Sequence, residues 1–302
     1  MKVGLEMAPA TASLISWART ADFLELTKPR ITLLVLVTTL VGFYVGLKGS
    51  VPLMLLGHTL VGTALVAGGA SAFNMYLERH LDALMERTVS RPLPTGRVRS
   101  GEALAFALSI SVAGVVYLFA FVNALTSLVS AITFVSYLFL YTPLKRHTWL
   151  CTLAGAVPGA LPAAMGWTAV SGHLSLGAWV LVAIVFFWQL PHFYAIGWIY
   201  REDYARAGFP MLAVIDSSGS RTSRQAGMYI VLLILVTVVP SIIGLAGLVY
   251  LVGALALGFL FLAYAFWFAR LRDRVSARRL FVASICYLPI LLALLMVDKV
   301  AP

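Results

Sequence analysis

Residues 52–82 read PLMLLGHTLVGTALVAGGASAFNMYLERHLD. No Lys, Arg, Asp or Glu occurs between residue 52 and residue 77, and the acidic side chains begin at Glu78. A helix needs about 20 consecutive, mostly apolar residues to cross the hydrocarbon core of a bilayer. The stretch therefore predicts a membrane-spanning helix that carries acidic side chains where it leaves the membrane.

Apolar runs of similar length recur from residue 31 to the end of the chain. Hydrophobic residues make up 61% and charged residues 11% of the 302 residues, against about 45–50% and about 25% in soluble domains. This composition excludes an ordinary soluble protein and predicts an all-α fold, a polytopic membrane helical bundle that forms one domain over residues 1–302. Nine spans are predicted, at residues 31–47, 52–77, 101–122, 124–142, 149–170, 176–198, 226–248, 250–269 and 280–297.

The positive charges fall on one side of this nine-span topology. Of the 22 Lys and Arg residues, all except Lys48 and Lys299 precede the first span or follow an even-numbered span. Because Lys and Arg accumulate in cytoplasmic loops, residues 1–30 are predicted to be a cytoplasmic tail. The net charge of +10 thus reflects topology, and no nucleic-acid partner is expected. The short tail, which lacks a signal-peptide pattern or an Arg- and Ser-rich leader, favours a bacterial inner membrane.

Two cytoplasmic loops, at residues 78–100 and 199–225, are long and polar, and function is expected there. Asn74, Glu78 and Asp82 follow one another at intervals of four residues, so their side chains share one helix face. Magnesium is commonly held by one or two carboxylates together with the phosphates of a substrate. The spacing therefore predicts a magnesium site, although a solvated helix end at the membrane surface would give the same pattern.

Basic residues accompany Asn74, Glu78 and Asp82, which together are called the acidic ladder. Arg87 and Arg91 lie on the same loop, and Lys145 and Arg146 lie on the next cytoplasmic loop. Arginine binds phosphate through two donors, and lysine adds a point charge. Pro92 disfavours the helical conformation at Arg91, so the helix is predicted to end there. These groups predict a site for a diphosphate with an apolar tail, whereas topology alone accounts for most other arginines.

Several segments resemble the UbiA superfamily of intramembrane prenyltransferases. They are NMYLERHLDALMERTVSRPLPTG at residues 74–96, TKPRIT at 27–32 and YTPLKR at 141–146. Within the superfamily, the chain resembles the protohaem IX farnesyltransferases most, through ERTVSRPLPTGRV at 86–98 and WQLPHFYAIGWIYREDYARAGFPML at 188–212. The resemblance covers nearly the whole chain.

The resemblance implies transfer of the farnesyl group of farnesyl diphosphate to a vinyl group of haem B, with addition of water, to give haem O. Magnesium is the implied cofactor, the lipid bilayer is the surrounding medium, and contact with haem A synthase or oxidase assembly factors is compatible with this role. The implied metal ligands are Asn74, Glu78 and Asp82. The implied substrate-binding residues are Arg87, Arg91, Tyr141, Lys145, Arg146, His192, Glu202 and Asp203. The implied catalytic residues are Asn74, Glu78, Asp82, Arg87, Arg91 and His192.

His192 lies about seven residues before the cytoplasmic end of the predicted sixth span. Polar side chains at that depth are functional candidates, and by resemblance His192 is expected to contact haem, with axial ligation by a neutral imidazole as one form of that contact. The alternative is structural. Pro191 leaves a backbone carbonyl near Phe187 without its usual donor, and the imidazole could satisfy it.

Two other functions are weighed against this interpretation. Quinone-directed members of the superfamily usually carry a second DxxxD ladder after the sixth span. Here Glu202 and Asp203 are adjacent, with no acid four residues later, so they are interpreted as ligands of a second ion or as groups that position an Arg or Lys. This departure favours the haem branch and leaves prenylation of a quinone precursor as the alternative. A transporter is disfavoured, because the centres of the predicted spans contain no Lys, Arg, Asp or Glu.

Overall fold

The structure, a computed structural model, describes residues 9–300. Within these residues the chain is helical and contains no strand, apart from one isolated bridge between Ala246 and Lys299. Nine helical segments of the described chain are long and apolar enough to cross a membrane, which confirms the predicted fold class. These segments are α2 (Pro29–Gly46), α3 (Leu53–Asp82), α4 (Ser100–Phe121), α5 to α6 (Ala124–Leu144), α7 (Cys151–Ser171), α8 (Leu176–Ile199), α11 (Ser220–Ile242), α12 (Leu248–Leu271) and α13 (Arg274–Val297).

The fourth span is composite. It consists of α5 (Ala124–Val135), a π-helical segment (Ser136–Tyr141) and α6 (Thr142–Leu144). In the part of the chain that the structure describes, three helices lie outside the spans: α1 (Pro9–Leu26), α9 (Arg201–Arg206) and α10 (Leu212–Ile215).

Each predicted span overlaps one of these helices, but some helix ends differ. The seventh span was expected at residues 226–248, whereas α11 begins and ends six residues earlier. Gly219 before it and Gly244 after it have φ angles of 70° and 73°. Glycine adopts this left-handed conformation without steric cost, and the conformation does not continue a helix. The two glycines, rather than the limits of the apolar run, therefore set the position of α11.

Helix α1 occupies most of the tail that the sequence predicted, while residues 1–8 lie outside the described part of the chain. Hydropathy does not identify this helix, because charged residues interrupt its apolar residues. Two of these, Asp22 and Glu25, accept hydrogen bonds from the Arg97 guanidinium. These contacts fasten α1 to the loop that follows the acidic ladder.

Helices α7 and α8 form the centre of the bundle. Within one 18-residue apolar stretch of each helix, 72% of the residues are buried in α7, against 22% in α4. Small residues let α7 approach α2 closely, because a Cβ atom on Gly42 would lie 2.0 Å from the Ala163 carbonyl oxygen, and one on Gly166 would lie 1.9 Å from the Thr39 carbonyl oxygen. Such close backbone packing through small residues is typical of membrane helices.

Gly166→Ala is expected to destabilise the protein, because the new methyl group would meet backbone that cannot move aside cheaply. The expected loss is about 1–3 kcal/mol of unfolding free energy, measured by thermal unfolding in detergent. Gly57→Ala is the matched control, since nothing lies within 4 Å of a Cβ atom at that position in α3. Equal melting temperatures for the two variants would contradict the packing described between α2 and α7.

Candidate active site

The acidic ladder lies on the last two turns of α3. Asn74, Glu78 and Asp82 are all buried, at 1%, 7% and 1% exposure, and line one cavity. The three side chains therefore share one face as the spacing predicts, and that face is turned into the protein rather than toward solvent.

Helix α3 ends at Asp82, which corrects the expectation that the helix continues to Arg91. The Thr88 hydroxyl donates a hydrogen bond of 2.8 Å to the Asp82 carbonyl oxygen, and the Met85 backbone N–H donates to the same oxygen. The chain therefore turns back at once, and this turn, rather than Pro92, ends the helix. Because of this turn, the Arg91 side chain lies beside the Asp82 carboxylate.

Each member of the ladder is bound by a different cation. Lys28 Nζ donates to Asn74 Oδ1 over 2.9 Å. Lys145 Nζ lies 2.8 Å from Glu78 Oε1. The third cation is Arg91, whose Nη1 lies 2.7 Å from both carboxylate oxygens of Asp82. Because like charges four residues apart on a helix repel, these three cations are what allows two carboxylates to be buried together.

Lys28 lines the cavity but was not among the predicted site residues. The residue has a left-handed backbone, with φ of 48° and ψ of 67°, and Pro29 begins α2 directly after it. Burial of the ammonium group, together with the nearby Arg91 guanidinium, lowers the Lys28 pKa from 10.5 to about 7. The signal that could have identified Lys28 is its position directly before the proline that starts the first span.

The irregular end of the composite fourth span brings Lys145 to the Glu78 carboxylate. Pro143 has no backbone N–H to donate, and the Thr142 hydroxyl and backbone N–H both reach the Tyr137 carbonyl, which produces the π-helical segment. Interruptions of this kind are frequent at functional sites. Lys145 Nζ then lies 4.5 Å above the centre of the Tyr141 ring. Although burial works against the charged form, the Glu78 carboxylate raises the Lys145 pKa well above its usual value, so Lys145 remains cationic.

A cavity of about 540 Å³ extends from the ladder into the bundle between α2, α3, α5, α7 and α8. The charged groups of the ladder and its cations lie at one end of the cavity. Its deeper walls include Thr63, Val66, Pro162 and Met165. Asn74 and Thr63 are eleven residues apart on α3, which corresponds to about 17 Å along the helix axis. The cavity therefore joins a polar end to a long, mainly apolar interior.

Eight of the predicted site residues line this cavity: Asn74, Glu78, Asp82, Arg87, Arg91, Tyr141, Lys145 and His192. Three do not. Arg146 and Glu202 are exposed. Asp203 is buried, but its carboxylate accepts hydrogen bonds from the Arg206 guanidinium and from the Glu86 backbone N–H, the latter over 3.4 Å.

Arg87 stands between two cavities. It lines the ladder cavity and a second, more polar one of about 690 Å³, where Glu202 and Asp203 also lie. Its guanidinium donates to the Tyr204 hydroxyl over 3.3 Å and lies 5.1 Å from the centre of the Tyr200 ring. The second acidic cluster therefore borders Arg87 from the outer cavity rather than extending the ladder.

His192 faces the ladder cavity from α8. Its Nδ1 lies 2.7 Å from the Ser284 hydroxyl oxygen on α13. The ring centres of Trp188 and Phe281 lie 5.2 and 4.9 Å from that of the imidazole. The structural alternative of the sequence analysis, a hydrogen bond to the backbone near Phe187, is therefore replaced by a contact between two helices.

The ladder suits a magnesium ion that is held only in part by protein. Among residues 9–300, no group of three or more His, Cys, Asp or Glu side chains is arranged to hold a metal ion. Two carboxylates and one amide oxygen nevertheless lie together at the cavity mouth. Magnesium usually keeps several water ligands and takes the others from carboxylates and substrate phosphates. The donor set thus fits an ion that arrives with a phosphorylated substrate.

Comparison with known proteins identifies relatives along almost the whole chain. The model of the UbiA prenyltransferase family matches residues 35–291. A protein named protoheme IX farnesyltransferase from Solibacter usitatus (strain Ellin6076) is 47% identical over 287 residues, which cover 92% of this chain and 98% of the relative. A protein of the same name from Koribacter versatilis (strain Ellin345) is 41% identical over 306 residues and 96% of each chain.

Solved structures share the fold. A structure of digeranylgeranylglyceryl phosphate synthase superposes with a TM-score of 0.78 at 16% identity and covers 93% of this chain and 98% of its own. A UbiA homolog from Archaeoglobus fulgidus, bound to GPP and Mg²⁺, superposes with a TM-score of 0.65 at 14% identity and covers 91% and 99%. At these identities the likeness concerns the arrangement of the helices alone.

Proposed function

Because this chain belongs to the UbiA prenyltransferase family, we propose that it transfers the farnesyl group of farnesyl diphosphate to a vinyl group of haem B, with addition of water, to give haem O. The observation that carries the proposal is the cavity, whose charged end and long apolar interior match a diphosphate attached to an isoprenoid chain. Relatives that are 40–47% identical are named for the same reaction.

The diphosphate binds at the cationic end of the cavity. Arg91 and Lys145 contact the ladder carboxylates, and Arg87 lines the same cavity. We include Lys28 among the residues that bind the diphosphate, because its ammonium group donates a hydrogen bond to Asn74 at the same end of the cavity. A diphosphate brings negative charge, which favours the protonated form of Lys28. Asn74, Glu78 and Asp82 would hold magnesium, which would neutralise charge on the phosphate oxygens when it is bound.

The reaction begins when the bond between farnesyl C1 and the diphosphate oxygen breaks, and the electron pair leaves with the diphosphate. Fixed cations stabilise the charge that develops on the departing oxygens, and they act strongly in a cavity that contains little water. The terminal carbon of the haem vinyl group forms a bond to C1. Water then adds to the cationic carbon that remains on the vinyl group and loses a proton, which leaves a hydroxyl group.

Haem lies against the α8 wall of the cavity, where His192 and Trp188 are found. His192 is seven residues from the end of α8 at Ile199, about 10 Å along the helix axis. A neutral imidazole there can ligate the haem iron. This position puts a porphyrin in the apolar part of the bundle, beside the end that holds the diphosphate.

We place the protein in the bacterial inner membrane as a single domain with a cytoplasmic N-terminus. The placement rests on the distribution of Lys and Arg, of which only Lys48 and Lys299 lie on the opposite side. The active site then opens toward the cytoplasm, and contact with haem A synthase or oxidase assembly factors would occur within the membrane. Reporter fusions after residues 48 and 146 should give opposite orientations.

Arg91→Ala and Arg87→Ala are each expected to weaken farnesyl diphosphate binding by about 10- to 100-fold, the cost of a lost charged hydrogen bond. Haem binding should change little. Arg91→Lys and Arg87→Lys should not restore farnesyl diphosphate binding fully, because lysine cannot make a bidentate contact. The measurement is titration of farnesyl diphosphate and of haem against each variant.

Arg146→Ala is the matched control, because Arg146 is exposed and outside the cavity, and it should bind both substrates normally. If Arg87→Ala and Arg91→Ala bound farnesyl diphosphate as the wild type does, both residues would be left with a role in topology only.

Extraction of haem from cells tests the choice between haem and a quinone precursor as the acceptor. Cells that express the protein together with a supply of farnesyl diphosphate should contain haem that carries a farnesyl and a hydroxyl group. Asp82→Asn is the control and should leave haem B unchanged. An unaltered haem pool together with a prenylated quinone precursor would favour the alternative.

A further inference from the structure

Ser284 on α13 contacts two side chains of α8 from a fully buried position. Its backbone carbonyl oxygen accepts a hydrogen bond of 2.7 Å from Trp188 Nε1. Its hydroxyl oxygen lies 2.7 Å from His192 Nδ1 and 2.5 Å from the Phe281 carbonyl oxygen. Ser284 therefore determines how the cavity wall of α8 meets α13.

The hydrogen of the Ser284 hydroxyl can be placed by elimination. The Phe281 carbonyl oxygen is an acceptor only, so the hydrogen between the two oxygens, which lie 2.5 Å apart, must come from Ser284. A hydroxyl group has one hydrogen. Towards His192, the Ser284 oxygen can therefore only accept, and Nδ1 must carry a hydrogen.

The other ring nitrogen of His192 has no partner in the described residues. No hydrogen bond or ion pair of Nε2 occurs there, although the imidazole lines the ladder cavity. The rings of Trp188 and Phe281 lie beside the imidazole, and Ser284 binds its Nδ1 edge. In a neutral imidazole with hydrogen on Nδ1, Nε2 carries a free electron pair.

We propose that Ser284 is a positioning residue that fixes His192 in the Nδ1–H tautomer, so that Nε2 is presented to the cavity as an electron-pair donor for the iron of the haem substrate. The identity of the ligand, haem iron, rests on the proposed function. The tautomer of His192 does not. Histidines that bind metal commonly donate their other N–H to a fixed acceptor, which sets ring orientation and raises the basicity of the ligating nitrogen. Here the acceptor is the Ser284 hydroxyl oxygen. The same hydroxyl donates its own hydrogen bond to the Phe281 carbonyl oxygen in the backbone of α13.

The tautomer is measured in the protein without haem, by nitrogen NMR of the full chain labelled in histidine and held in lipid nanodiscs. The His192 signals are assigned by their loss in His192→Ala. The expected spectrum has a protonated Nδ1 and an unprotonated Nε2. In Ser284→Ala the proton is free to move to Nε2, and Ser284→Thr, which keeps a hydroxyl group, should restore the wild-type pattern. A wild-type protein with the proton on Nε2 would overturn the proposal.

The ligand is tested by titration of ferric haem, followed in the Soret band. Ser284→Ala should weaken haem binding by about 10- to 100-fold and shift the spectrum, whereas Ser284→Thr should resemble the wild type and farnesyl diphosphate binding should be unchanged. Ser111→Ala is the matched control, because Ser111 is a buried serine of α4 whose hydroxyl, among the described residues, donates only to the Ala107 carbonyl of its own helix.

The two measurements separate this inference from the proposed function. If the Nδ1–H tautomer is found but the wild-type protein binds no haem, the proposed acceptor is wrong and Ser284 still fixes the imidazole. If the wild type binds haem and Ser284→Ala has the same affinity and Soret band, the positioning role of Ser284 is wrong while haem as the acceptor stands.

Discussion

Asp82→Asn is expected to lower the rate of haem O formation by about 100- to 1,000-fold, the usual cost of removing one group that stabilises charge in the transition state. The substitution replaces one carboxylate oxygen with an NH₂ group and keeps the volume of the side chain. It removes a negative charge from the ladder, which should weaken the proposed magnesium binding, and it leaves the Arg91 guanidinium without its carboxylate partner. The rate should be measured with purified protein at limiting magnesium.

Folding must be separated from catalysis in this experiment. The Asp82 side chain is almost fully buried, so the melting temperature should be recorded beside the rate. An amide can still accept one hydrogen bond from Arg91, and we expect the variant to fold. Glu78→Gln should behave in the same way, because it removes the partner of Lys145.

Glu102→Gln is the control, since Glu102 pairs with Arg19 in an exposed contact away from the cavity. It should retain the wild-type rate. If Asp82→Asn or Glu78→Gln formed haem O at the wild-type rate at limiting magnesium, the ladder would have no part in the mechanism.

His192→Ala is expected to lose haem O formation and to change the absorption spectrum of added haem, while farnesyl diphosphate still binds. The imidazole lies on the α8 wall of the cavity, and its Nδ1 is bound to Ser284. If the imidazole ligates the haem iron as proposed, its loss removes the group that holds the porphyrin beside farnesyl C1, and poor placement of a substrate costs about 100-fold in rate. Haem titration and a separate farnesyl diphosphate titration measure the two effects.

A structural role for His192 predicts a different result. The imidazole links α8 to α13 through Ser284, so its loss could simply loosen the two helices. His58→Ala is a suitable comparison, because the His58 imidazole also bonds a neighbouring helix, at the Tyr117 hydroxyl over 2.7 Å, but lies outside the cavity. If His192→Ala melted earlier and kept full haem affinity with an unchanged spectrum, the assignment to haem would be withdrawn.

The spans and the ladder could be predicted because they depend on short stretches of sequence. An apolar run of about 20 residues predicts a span wherever it occurs, and intervals of four residues place Asn74, Glu78 and Asp82 on one face of any helix. The position of α11 was not predicted, since Gly219 and Gly244 set its ends through backbone conformation rather than through hydropathy.

The cations of the site depend on tertiary structure and were predicted only in part. Lys28 is 46 residues from Asn74 along the chain. Its charge had been explained by topology alone. Arg146 follows Lys145 directly, but only the latter enters the cavity. Neighbours in sequence at a helix end point in different directions, and the sequence does not say which one faces the ladder.

The second acidic cluster was predicted to hold a second ion or to position an Arg or Lys, and Asp203 does contact an arginine, Arg206. Asp203 lies three residues before Arg206, a spacing that favours an ion pair within one helical turn, and the structure contains that pair. The contact between His192 and Ser284 could not be inferred from sequence at all, because it joins residues that are 92 positions apart.

The most direct test of the central claim uses the purified protein in liposomes with haem B, farnesyl diphosphate and magnesium, in water labelled with a heavy oxygen isotope. Mass spectrometry of the extracted haem should find a product that has gained one farnesyl group and one hydroxyl group, with the labelled oxygen in that hydroxyl and one diphosphate released for each product. A haem of unchanged mass, in a preparation that binds farnesyl diphosphate and magnesium normally, would contradict the claim that haem is the acceptor.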